Sequence, residues 1–223
     1  MSQALKKDFG LNEFCLGRYV ESEEPTVFAD IYRNDTNITI WKRSLPNDIT
    51  HSVNHILKSN SSFNMIKPVS VVSVFDDIHR AFGNSEQSRP LCDDITTLVD
   101  MFCCIFNVKR AGFRLTALNH AMCPRFHVDH VPCRLVTTYL GYGTEWLPHK
   151  IVDRTKLGAG NQGKPDEHSG LFSRLRDIQR LTQGDVALLK GESWEGNENA
   201  GLVHRSPSVT PGERRLLLSI DFV

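Results

Sequence analysis

Apolar residues recur at two different spacings along this chain, and the spacing changes near Asn107. Before that point the pattern is mostly helical. Val53, Ile56 and Leu57 lie at helical spacing behind the turn Leu45-Pro46-Asn47-Asp48, which predicts a helix over Ile49 to Lys58. Val69 to Phe82 opens with β-branched residues and ends on Phe75, Ile78 and Phe82, which suggests an extended start or a buried helix, the helix being favoured. Ile95, Leu98, Val99, Phe102, Ile105 and Phe106 form an i, i+3, i+4 stripe, with Asp93 or Asp94 as its cap. The chain up to Asp35 is polar and weakly periodic, so a mobile or loosely docked arm is expected; Asn37 to Arg43 alternates like a strand.

After Asn107 come short runs rich in Val, Leu, Thr and Phe: Phe113 to Leu118, Arg125 to Val131, Arg134 to Leu140, Asp185 to Leu189, Gly201 to His204 and Arg214 to Phe222. Gly and Pro separate them, which predicts an antiparallel sandwich or barrel. Lys156 to Gly170 is too long and polar for a simple turn, and reads as disordered or as a lid over a site. The chain is thus expected to be one α+β globule, with an arm and supporting helices in 1–112 and a β core in 113–223.

Composition narrows the function classes. With 223 residues, 26 Lys plus Arg and 26 Asp plus Glu, the charges cancel. No overall field then draws in duplex nucleic acid or an anionic membrane. No apolar run approaches the roughly 18 residues of a membrane span, and no apolar segment follows the first lysines as in a signal peptide. A cytoplasmic protein is expected, with its six cysteines reduced. None forms a C-x-x-C pair, which argues against a zinc ribbon. Cys103 and Cys104 read as small buried hydrophobes, while Cys123 and Cys133 flank the motif below and stay open. Oligomeric state is not encoded legibly.

The chemistry gathers at Phe126-His127-Val128-Asp129. Two residues apart on a strand share a face, so His127 and Asp129 can offer an imidazole nitrogen and a carboxylate oxygen to one ion. That is one edge of a two-His, one-carboxylate triad, which leaves metal positions open. The pair alone is common by chance. It gains weight from His204, at the end of the apolar run Gly201-Leu202-Val203, and from the cation of Arg214 after Pro211-Gly212-Glu213, suited to a carboxylate beside the metal. The bland alternatives are histidines bonded to backbone, and an Asp129 paired with Arg125 or Arg134.

These residues resemble a known family. Phe113 to Val223 looks like the double-stranded β-helix of iron(II)/2-oxoglutarate dioxygenases, in particular the prolyl-hydroxylase-like branch. Arg134, Thr137 and Tyr139-Leu140 match the strand after the His-x-Asp; Gly184-Asp185-Val186-Ala187-Leu188-Leu189 matches the strand before the distal His. Gly212-Glu213-Arg214 matches the segment carrying the oxoglutarate-binding arginine, and this match favours Arg214 over its neighbour Arg215. Nearly the whole chain also resembles a bacterial family known as domain of unknown function 1826, through Asn37 to Leu45, Cys123 to Trp146, Gly184 to Trp194 and Gly201 to Pro207.

The resemblance implies a cupin-like jelly-roll barrel with N-terminal helices packed on it. It implies Fe(II) on His127, Asp129 and His204, with 2-oxoglutarate held by Arg214, Thr137, Tyr139 and Arg134; Thr137 and Tyr139 read equally well as barrel packing, and Arg134 as a structural ion pair. The reaction implied is O₂-dependent hydroxylation of a small molecule or peptide. The alternative is a cupin-like metal sensor, carrier or isomerase without oxygenase activity; a pure interaction module is a third reading.

Overall fold

A computed structural model describes residues 18–223 of the chain. Its first half contains β1 (Arg18–Ser22), β2 (Thr36–Trp41), α1 (Asn47–Ser59), β3 (Asn64–Val69), α2 (Val74–Ala81) and α3 (Arg89–Phe106). There follow β4 (Ala111–Leu118), β5 (Cys133–Leu140), β6 (Glu145–Leu147), α4 (Asp166–Ser169), β7 (Gln179–Arg180), β8 (Val186–Lys190), β9 (Val203–Arg205) and β10 (Arg215–Asp221).

The apolar stripes form helices as expected, with two changes at their starts. α3 begins at Arg89, with Pro90 in its first turn, where a missing N–H costs nothing. Asp94 therefore lies inside the helix, and its carboxylate accepts hydrogen bonds from Arg43 and from the Tyr139 hydroxyl. Val69 to Phe82 splits into the end of β3 and α2. Between them the Ser70 and Ser73 side chains bond each other and each other's backbone N–H, which competes with helix formation. Of the expected arm, residues 1–17 lie outside the described residues. From Arg18 on it is docked, first as β1 and then as a 3₁₀ helix, Pro25–Tyr32, that buries Val27, Phe28 and Ile31.

Seven strands form one sheet in the order β1-β2-β8-β5-β10-β4-β3, and three form a smaller sheet, β7-β6-β9. All pairings are antiparallel except β1 with β2. The segment before residue 113 thus contributes strands to the main sheet as well as helices.

Alternation divides the large sheet into two faces. Leu115, Leu135, Leu188, Leu216, Leu218 and Ile220 point to one side and bury against Val53, Ile56, Ile95, Leu98 and Phe102 of α1 and α3. Ile38, Ile40, Val136, Ala187 and Leu189 point to the other, against Trp146, Leu181 and Leu202 from the small sheet and its flanks. The small sheet therefore lies over β2, β8 and β5. A third cluster, Phe126, Leu147, Leu171, Phe172 and Val203, fastens the β6–β7 connection to the outside of the small sheet. Among the described residues no helix is long and apolar enough to cross a membrane.

Candidate metal centre

Arg125 to Val131, expected as a strand, is irregular apart from one bridge between His127 and His204. The physical reason is its flanks. Pro124 and Pro132 lack N–H donors, and the Phe126 N–H goes to the Asp166 carboxylate at 2.8 Å instead of to a neighbouring strand. What survives is a reciprocal backbone pair between His127 and His204, each N–H to O distance being 3.0 Å. That pair brings the two rings to a centroid separation of 4.6 Å.

Both imidazoles are oriented the same way. His127 Nδ1 lies 2.9 Å from the Arg125 carbonyl, and His204 Nδ1 lies 3.1 Å from the Leu202 carbonyl. A carbonyl only accepts, so each Nδ1 carries a proton and each ring turns its Nε2 inward. Asp129 meets them there, its two oxygens 3.8 Å from His127 Nε2 and 3.3 Å from His204 Nε2. One ligand atom from each residue lies within 4.8 Å of the other two. Donors on adjacent positions of an octahedral ion, at about 2.1 Å each, stand about 3 Å apart, so small side-chain adjustments close this set on a cation. The chemistry of the donors fits: two imidazole nitrogens and one carboxylate.

Burial and the neighbouring His204 push the His127 pKa down, which favours the neutral ligand form. Burial pushes Asp129 up, but hydrogen bonding and charge from His204, together with Arg134, outweigh it and hold the carboxyl at about 2. Arg134 Nη1 lies 2.7 Å from Asp129 Oδ2, and its Nε and Nη2 bind Asp221 at 2.6 and 3.0 Å. Arg125, the other partner considered for Asp129, bonds Asp166 instead. Gly191 fixes the backbone behind this carboxylate: a Cβ there would collide with the Val131 carbonyl and stand 2.8 Å from that of Asp129.

The two adjacent arginines are placed the other way round from the expectation. Arg214 is exposed and its guanidinium bonds the Ser61 carbonyl. Arg215 is 1% exposed and points to the side of the small sheet. Its nitrogens meet the Tyr142 carbonyl at 2.8 Å, Thr144 Oγ1 at 3.0 Å, Thr138 Oγ1 at 3.2 Å and Ser206 Oγ at 3.5 Å. All four acceptors are neutral. Desolvation pulls its pKa to about 10, against a partial offset from Glu145, which is itself bonded to Arg180 and Arg205. Ser206 is two residues from His204, so this cation opens on the metal-bearing side.

Thr137 and Tyr139, expected beside the cosubstrate, face the helices. Thr137 is paired with Leu218 and Val186 of the helix-side core, and its hydroxyl has no hydrogen-bond partner among the described residues. Tyr139 is fully buried there, and burial together with Asp94 raises its pKa. The residue of β5 that meets Arg215 is Thr138, one position along.

Lys156 to Gly170 is a series of 3₁₀ turns ending in α4, held by Asp166, which is 3% exposed. Its carboxylate takes Arg125 Nε at 2.8 Å and Arg205 Nη1 at 3.3 Å besides the Phe126 N–H. Cys123 is exposed and Cys133 buried, its thiol pKa pushed up; neither joins the donor set. Sequence reasoning passed over Arg215 and missed Asp221, Asp166 and Thr138. The alternation of β10 against the apolar Leu216, Leu218 and Ile220 held the signal for the first two.

The model of the family described as protein of unknown function (DUF1826) matches residues 22–221. No curated protein matches the chain in sequence. The structure is similar to that of dioxygenase for auxin oxidation 1 from Arabidopsis thaliana in complex with 2-oxoglutarate. The likeness has a TM-score of 0.50 and 8% identity, and covers 93% of this chain and 92% of that one. A Pseudomonas putida prolyl-4-hydroxylase gives a TM-score of 0.45 at 11% identity, over 88% of this chain and 96% of that one. HygX from Streptomyces hygroscopicus, solved with iron bound, gives 0.47 at 10% identity, over 87% and 86%. At such identities the first likeness speaks to the fold, and the site must be argued from its own atoms.

Proposed function

The chain belongs to the DUF1826 family, whose description assigns no reaction, and from its side chains we propose that it is a non-haem iron(II)/2-oxoglutarate-dependent oxygenase. In this reading the two sheets form a double-stranded β-helix, and the substrate is a small molecule or a peptide. His127, Asp129 and His204 would hold the iron. The observation that carries the reading beyond metal binding is Arg215, a desolvated cation hydrogen-bonded only to neutral oxygens, on the side where the three donors converge. A buried guanidinium without an anion is costly, and a dicarboxylate chelating the metal would place its far carboxylate there.

When bound, iron(II) and 2-oxoglutarate supply O₂-dependent hydroxylation, with one oxygen atom passing to the product and the other to succinate as CO₂ leaves. The chain's own contribution is orientation. Backbone carbonyls at Arg125 and Leu202 turn the imidazoles, Arg134 holds one oxygen of Asp129, and Thr138 and Thr144 aim the Arg215 fork. Trp146, Leu181 and Leu202 keep water out of the neighbouring space between the sheets. The five described cysteines are free thiols, in keeping with a cytoplasmic setting.

The test is anaerobic loading with iron(II) followed by 2-oxoglutarate, monitored for the visible charge-transfer band of the chelate. The band should appear, vanish in His127→Ala, weaken in Arg215→Gln and persist in Arg214→Gln. Tight zinc binding with no band, and no succinate formed in air, would instead make the protein a metal carrier or sensor. No stoichiometric metal at all would leave an interaction module.

A further inference from the structure

The small sheet covers only part of the large one. Its apolar partners are on β2, β8 and β5, and beyond β10 the strands β4 and β3 carry a polar, open face. Register says which face. Ser219 pairs with Arg114, Leu217 with Thr116, Ile66 with Arg114 and Asn64 with Thr116. Paired residues point the same way, so Arg114, Thr116, Asn64 and Ile66 share the side of Arg215 and Asp221. Asn64 and Arg114 are exposed, and Ile66 is 59% exposed. The Thr116 hydroxyl donates to Asn64 Oδ1 at 2.9 Å, which joins the two strands' side chains into one shelf.

Arg114 differs from the other arginines on this side. Arg134 is committed to Asp129 and Asp221; Arg205 is committed to Glu145, Asp166 and Glu167. Arg215 is buried. Arg114 meets the thioether of Met122, 3.5 Å from its Nη1, and among the described residues no carboxylate lies within ion-pair distance. Met122 stands five positions before His127, so this contact already places the guanidinium against the segment that enters the metal centre. Arg114 lies across two strand spacings of about 4.8 Å, and one two-residue step of about 6.6 Å, from the position of Arg134, or about 12 Å between Cα atoms. A compact molecule anchored on Arg114 therefore reaches the metal. Beside the cation, Ile66 offers an exposed apolar surface that a ligand's hydrocarbon body would cover.

We propose that the substrate is an amphipathic anion: a carboxylate or phosphate held by Arg114, an apolar body lying over Ile66, and the reacting carbon turned toward the metal. This rests on the oxygenase reading and names its substrate class.

The test uses cobalt(II)-loaded protein saturated with 2-oxoglutarate, so that the metal and Arg215 are already engaged. The probes are 4-fluorophenylacetate, 4-fluorophenyl phosphate and 4-fluorophenylacetamide, followed by fluorine NMR line broadening from the paramagnetic ion. At least one acidic probe should bind about ten-fold or more tightly than the amide, the lower end of what a charge-assisted contact contributes. Whichever acid binds better identifies the headgroup. Arg114→Gln should bring acid and amide to near equality without changing cobalt uptake, and Arg114→Lys should restore part of the preference. Equal binding of acid and amide to wild type, or a preference unchanged in Arg114→Gln, would overturn the substrate class while leaving the oxygenase reading intact. Failure to take up cobalt or 2-oxoglutarate would sink both.

Discussion

On the helix side of the large sheet, Leu115, Leu135, Leu188, Leu216, Leu218 and Ile220 are buried among the apolar residues of α1 and α3, with a few polar groups among them, such as Tyr139, tied to Asp94, and Thr137. On the other side of the same strands stand Arg114, Arg134, Thr138, Arg215, Ser219 and Asp221. Neighbouring residues of one strand thus live in opposite environments. The first side is held by volume, so its residues are interchangeable within limits of size. The second is held by matching each desolvated charge with another, so the position of each residue decides its role. Where the matching is incomplete, at the buried Arg215 and the exposed Arg114, the proposed cosubstrate and substrate would complete it.

The sharpest way to break this contrast is to truncate the helix side. Phe102→Ala should cost about 3–5 kcal/mol of stability in urea unfolding, yet leave the cobalt affinity of the folded protein unchanged. Loss of affinity at that site would mean that the two sides are not separable. A smaller and opposite effect is expected at Arg215→Met, which removes a desolvated cation. Stability should hold, or rise by about 1–2 kcal/mol, while 2-oxoglutarate binding measured by calorimetry weakens. Finest in scale is Asp221→Asn. It leaves the fold and all three metal ligands in place but loosens Arg134 on Asp129. Supporting groups of this kind typically tune metal affinity by about 10–100-fold, and a cobalt titration followed by its visible absorption should show that loss. An unchanged titration would make Arg134 and Asp221 a simple surface pair.

Much of the helix side was readable because burial imposes a period. Ile95, Leu98, Val99 and Phe102 could only be one face of a helix, and all four are buried. The donor trio was also visible, as His127, Asp129 and His204 do converge. What stayed hidden were choices made by tertiary partners. The turn of Arg215 rather than Arg214 inward was the exception, legible in the phase of Leu216, Leu218 and Ile220 but passed over in favour of the Gly-Glu-Arg match. Thr137 and Thr138 differ by the same one-residue phase, which flips every side chain to the opposite side. Asp166 lies 39 residues from Arg205 and 40 from Phe126, with no pattern linking it to either, and only folding brings its carboxylate between them.

Asp166 has a consequence for how the molecule can move. Its single carboxylate grips the backbone just before His127 and the side chain just after His204, while belonging to the connection between β6 and β7. That connection cannot swing aside as an independent flap, since lifting it releases the neighbours of both histidines at once. A protease cut that frees the connection should therefore disturb the segments of both histidines together.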